Sequence, residues 1–126
     1  MRFHVIGLPH TCVTDDYSAC AFTMKVKNFC RMMHERGHEV FLYAGPRSDA
    51  PVTRFYPCVD EADRAAHVGA GHYTEASWEP SSPLWQSFLE RAMGYLAHNL
   101  ERQDFICLIG GYSQKAISDA FPSHIS

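Results

Sequence analysis

Residues 2–8, "RFHVIGL", form a short apolar run closed by Gly7 and Pro9. Such a run, apolar on both faces and followed by turn residues, predicts a buried strand of a parallel sheet. After a polar stretch, Phe22, Val26, Phe29 and Met33 recur at spacings of four, three and four. That period places them on one face of a helix, with Lys25, Asn28, Arg31 and Glu35 on the solvent side. Ser18 stands where a cap for this helix is wanted, and Gly37 suits its C-terminal turn. Residues 38–45, "HEVFLYAG", then read as a second strand, which completes a right-handed βαβ unit.

The pattern continues less evenly. Residues 45–51, "GPRSDAP", are a loop by composition. "TRFYPCVD" is a strand suited to a sheet edge, because Pro57 has no N–H to give to a ladder. Residues 60–80 hold no sustained period, and a long irregular segment in a small domain predicts function or mobility. Ser82 followed by Pro83 starts a helix on which Trp85, Leu89, Ala92, Leu96 and Leu100 keep helical spacing. Gly94 costs about 1 kcal/mol against alanine inside such a helix, so a close contact is expected there. Residues 104–111, "DFICLIGG", are the strongest strand, apolar on both faces, and 113–121 form a short helix stopped by Pro122. The following "HIS" reads as the first step of another parallel strand, and the chain as a single domain, 1–126, that is a piece of something longer. The fold class expected is α/β, an open, mainly parallel sheet flanked by helices.

Composition narrows the classes. The 126 residues carry a net charge of -3, with 46% hydrophobic and 13% aromatic residues. A core can form, and no basic surplus speaks for nucleic acid. No apolar stretch approaches the roughly 20 residues of a membrane span, and "MRFHVIGL" is too short for a signal peptide. Five cysteines without a CxxC pair, Cys30 and Cys107 among them in apolar patterns, suit a reducing cytoplasm. The eight histidines form no tract, and no cysteine or histidine spacing matches a metal motif, so no metal and no bound cofactor are expected.

In open parallel sheets, ligands bind beyond the C-terminal strand ends where the strand order reverses. With the first strand central, that point lies between it and the "FICLIGG" strand. There "LPHTC", with Pro9, His10 and Thr11, faces "GGYSQK", with Gly110, Gly111, Ser113, Gln114 and Lys115. The blander readings are plain: a glycine pair that lets the chain turn, a solvated lysine, a hydrogen-bonded histidine, and Asp15 and Asp16 as loop polarity. Cys12 is a conceivable nucleophile, close to a helix start and to His10. "GLPHTC" is neither a dinucleotide fingerprint nor a Walker loop.

"MRFHVIGLPHT", "SACAFTMKVKNFCRMMHERGHEVFLYAG" and "DFICLIGGYSQKAISDAFP" together resemble the N-terminal, acceptor-side domain of GT-B fold glycosyltransferases, nearest to retaining sugar transferases whose first strand ends in "GLPHT". The resemblance covers most of the chain and is weakest over 60–80. It implies a Rossmann-like first domain that binds a sugar or lipid-linked acceptor, and a second, C-terminal domain, absent from this chain, that grips a nucleotide-sugar donor. It makes Pro9, His10 and Thr11 the cleft floor and Gly110, Gly111, Ser113, Gln114 and Lys115 the opposite rim. His10 would act as general base in an inverting enzyme, or orient a substrate in a retaining one. The chain alone would be inactive.

Two alternatives stand beside it. One is a self-contained flavodoxin-like binding or regulatory module, which needs a cover for the "FICLIGG" edge. The other is a nicotinamide-dependent oxidoreductase, which lacks both the glycine loop and an acidic residue after the second strand.

Overall fold

The computed structural model describes residues 1–125. Four strands, β1 (Arg2–Ile6), β2 (Glu39–Ala44), β3 (Arg54–Pro57) and β4 (Phe105–Leu108), form one sheet in the order β3-β2-β1-β4. Every pairing is parallel, with Val5 opposite Leu42 and Cys107 on its two sides. The helices are α1 (Ala21–Glu35), α2 (Glu61–Val68), α3 (Pro83–Asn99) and α4 (Lys115–Ala120). The architecture is an open, Rossmann-like α/β sheet flanked by helices. Its order reproduces the first part of the 3-2-1-4-5-6 arrangement, whereas the flavodoxin order is 2-1-3-4-5. Ile125 lies in a parallel bridge with Ile106, on the outer side of β4 where the next strand of that order belongs.

Strand alternation divides the core into two layers. Val5, Val40, Leu42 and Ala44 pack under Val26 and Cys30 of α1. Ile6, Phe41, Tyr43 and Ile106 face Leu84, Phe88, Leu89, Ala92 and Leu96 of α3 and Ile117 of α4. The second face also buries a polar chain. The His4 Nε2–H donates to Asp104 Oδ2 at 2.7 Å, while the Tyr43 hydroxyl, 2.8 Å from His4 Nδ1, donates to it. Arg2 Nε donates to both Asp104 oxygens at 3.1 and 3.0 Å, and the Glu101 N–H adds a third source of donation at 3.0 Å. Burial pushes the His4 pKa down in spite of Asp104. Asp104 itself is held below the usual carboxylate range: burial opposes ionisation, and the Glu101, His4 and Arg2 hydrogen bonds outweigh it.

Four sequence expectations change in detail. Helix α1 begins at Ala21 after Cys20, so Ser18 does not cap it and instead closes the single-turn 3₁₀ helix Asp15–Tyr17. Phe22 is 42% exposed rather than inward-facing; Thr23, Val26 and Cys30 form the buried stripe. Gly94 meets nothing within 4 Å of an added Cβ, so no close contact explains it. The "FICLIGG" strand buries only Ile106 fully, because β4 is paired along its length on one side only. The segment 60–80 divides into α2 and an irregular stretch whose one regular element is a 3₁₀ turn, Tyr73–Glu75. Gly37 does terminate α1, at φ 85°, and β3 does occupy an edge.

Candidate functional site

The backbone leaves β1 at Gly7 and crosses above the strand ends before entering α1. The loop is pinned on its β2 side. Val13 N–H donates to Arg47 O at 3.1 Å and Asp49 N–H to Val13 O at 3.1 Å. Gly45 passes so close that an added Cβ would fall 1.9 Å from the Thr11 carbonyl oxygen. On its β4 side the loop meets the turn 109–114, as the sequence predicts. Gln114 makes the join. Its Nε2 donates to Gly7 O at 2.8 Å, and its Oε1 accepts from Ile109 N at 3.0 Å and Gly110 N at 2.7 Å.

The other rim residues divide by exposure. Ser113 is buried and its hydroxyl donates to Gly110 O at 2.7 Å. Gly110 packs so tightly that a Cβ would lie 2.7 Å from Gln114 Cδ. Gly111 is exposed, with φ 57°, the left-handed conformation a side chain disfavours. Lys115 points to solvent and pairs with Asp119 at 2.7 Å. On the floor, Pro9 and Thr11 are buried. Thr23 Oγ1 donates to Cys20 Sγ at 3.2 Å, which leaves the Thr11 hydroxyl to donate to Thr23 Oγ1 at 2.7 Å.

His10 is different. It is 1% exposed, yet its Nδ1 has no hydrogen-bond partner. Its ring packs in a triangle with two indoles, 5.6 Å from Trp78 and 6.3 Å from Trp85, which are 6.0 Å from each other. Burial first, then the electrostatic influence of the neighbouring His67 and Arg64, pushes its pKa down to about 4. The imidazole is therefore neutral at pH 7. An unsatisfied buried nitrogen costs about 1–3 kcal/mol and calls for an explanation. Sequence reasoning found His10 but not its surroundings. Trp85 was legible only as a helix core residue, and Arg64, His67 and Trp78 lie in the segment without a period.

Cys12 sits beside this floor, fully buried. Burial first and then the neighbouring Cys12 raise the pKa of Tyr17, and Cys12 is the leading cause of the raised pKa of Arg47. Arg64 lies 5.6 Å above the Tyr17 ring. A cavity of about 400 Å³ opens between α2 and α3, lined by Asp63, Ala66, His67, Pro83, Leu84 and Ser87. Among the described residues no three histidine, cysteine or acidic side chains converge as a metal site, and no helix is long and apolar enough to cross a membrane.

Set against known proteins, the chain matches no family model, no curated protein and no solved structure.

Proposed function

We propose that this chain is the acceptor-side domain of a GT-B type glycosyltransferase, the class its sequence resembles. The observation that carries the reading is His10. It stands at the C-terminal end of the central strand, beside the β1–β4 switch point, with a buried nitrogen lacking a partner. A hydroxyl group, as on a sugar acceptor, both donates and accepts, and so satisfies that nitrogen in either tautomer. The strand order supports the same reading, as does the absence of glycines that would admit a pyrophosphate at the first turn.

The depressed pKa favours one role over the other. A general base works best with a pKa near the working pH, and about 4 is far below that. His10 then orients the acceptor hydroxyl by hydrogen bonding, the role expected in a retaining enzyme. Gln114 and Ser113, spent on internal hydrogen bonds, hold the shape of the rim. Gly111 and Tyr112 are the exposed members of that turn and so the ones placed to approach a ligand. The donor nucleotide sugar belongs to a second domain, as the resemblance implies.

The test is a nuclear magnetic resonance titration of the ¹⁵N-labelled chain with a panel of mono- and disaccharides, then with UDP-, GDP- and ADP-hexoses. Saccharide-dependent shifts at His10, Thr11 and Gly110 through Gln114, with none spread across the rest of the sheet, support the proposal. Sugar transfer by this chain unaided, or stabilisation by NAD with no response to any saccharide, overturns it.

A further inference from the structure

One of the two indoles packed against the buried His10 comes from the irregular stretch between α2 and α3. Two sides of the aromatic triangle belong to fixed elements: His10 on the pinned β1 loop and Trp85, fully buried, in the first turn of α3. The third, Trp78, belongs to residues 69–82. No residue of that stretch is fully buried. Trp78 is half-buried, lies 5.6 Å from His10 and touches the exposed Phe22 ring edge-on at 5.1 Å.

A handful of bonds hold the stretch down, among them Gln86 Nε2 to the Pro80 carbonyl at 3.0 Å. The Ser77 carbonyl accepts from Trp85 Nε1 at 3.0 Å and from His67 Nε2 at 3.1 Å. The Tyr73 hydroxyl accepts from Ala19 N at 3.0 Å, and its ring packs tilted against Tyr17, with centroids 4.7 Å apart. At the upstream end stand Gly69, at φ 65°, and Gly71. Downstream, Pro80 precedes the α3 cap. Only Tyr73 and Trp78 of the stretch pack on the buried cluster of Leu8, Cys20 and Trp85, and a segment with no fully buried residue and glycines at one end opens at low local cost. The closed position leaves His10 Nδ1 unpaired, so closure withholds water from a group whose partner is missing.

We propose that residues 69–82 are a lid, with Trp78 as its plug, that swings away to admit a hydroxyl-bearing ligand to His10. The plug and the Ser77 latch are its two working parts. The glycines at 69 and 71 are its hinge. The inference does not rest on the transferase reading, because the accessibility of His10 reads it directly and sugar transfer does not enter.

The test is diethylpyrocarbonate modification of the full chain, with peptide mapping to compare His10 with the exposed His34. In the wild-type protein, local opening makes the His10 rate independent of urea well below the unfolding midpoint. Trp78→Ala raises that rate about tenfold or more relative to His34, while hydrogen exchange in β1 and β2 keeps its wild-type protection. A wild-type His10 rate that climbs steeply with low urea means that only global unfolding exposes it, and the lid is refuted. An unchanged His10 rate in Trp78→Ala refutes the plug. Should Trp78→Ala not fold, the urea dependence in the wild-type chain decides alone.

Discussion

Replacing His10 by phenylalanine tests the electrostatics of the site. Phenylalanine keeps a ring against Trp78 and Trp85 and removes the proton. In the folded wild-type chain His10 titrates at about 4, against a reference of 6.5. Between those values the unfolded state binds more protons than the folded one, so wild-type stability falls as pH falls through this window. The full difference of 2.5 units (6.5 minus 4) corresponds to about 3 kcal/mol at about 1.4 kcal/mol per unit. Between about pH 7.5 and about pH 4.5 the linkage integral gives about 2.5 kcal/mol. Urea unfolding at a series of pH values, followed by tryptophan fluorescence, supplies the stability of each protein. Subtracting the two curves removes what they share, including the acid sensitivity of His4, whose pKa is also lowered. The wild-type chain is expected to lose about 2.5 kcal/mol more than His10→Phe over that range. Parallel curves would mean that His10 titrates normally and is not sealed from water, which removes the basis for both its role and its lid.

Three further outcomes follow from the packing. Asp104→Asn leaves His4, Arg2 and the Glu101 N–H facing an amide that offers one acceptor oxygen, and it should cost about 3 kcal/mol by urea midpoint. The wild-type Asp104 contribution is present above about pH 4 and declines as pH falls through its depressed folded pKa, so Asp104→Asn should also flatten the acid limb. Gly94→Ala should stabilise by up to about 1 kcal/mol, raising Tm by about 4 °C, because the new methyl meets only open space on an exposed helix face; a loss would mean that Gly94 does contact something. Gln114→Ala strands Gly7 O and the Ile109 and Gly110 N–H groups. It should cost about 3 kcal/mol and shift the amide resonances on both sides of the β1–β4 gap; a change under about 0.5 kcal/mol contradicts its role as the join.

Much of the architecture was legible because it is local. The period of α1, the stop at Gly37, the Ser82–Pro83 start of α3 and the apolar runs of β1, β2 and β4 are written in consecutive residues. A right-handed crossover then leaves few ways to order the strands, and Pro57 marks an edge. Helix α2 was not legible. Its eight residues, "EADRAAHV", bury no side chain fully, and three alanines and a valine over barely two turns are too short a run to establish a period. The exposure of Phe22 was missed for a related reason: its partner Trp78 comes from 56 residues further on, and helical spacing alone assigns Phe22 inward.

The candidate site divides in the same way. Sequence by itself determined that a histidine, and not a glycine loop, follows the first strand, and that a glycine-rich turn follows the last. It determined those things because strand, turn and motif are short-range properties of the chain. Only the tertiary structure decided that Gln114 joins the two loops across 107 positions, and that Lys115 turns to solvent beside Asp119. It also decided that His10 is sealed between indoles from two other segments. Burial, partner loss and pKa depression are set by atoms distant in sequence, through desolvation that no local pattern encodes. A histidine in "LPHTC" is ordinary; the same histidine, dry and unpaired beneath Trp78, is what gives this protein a site to test.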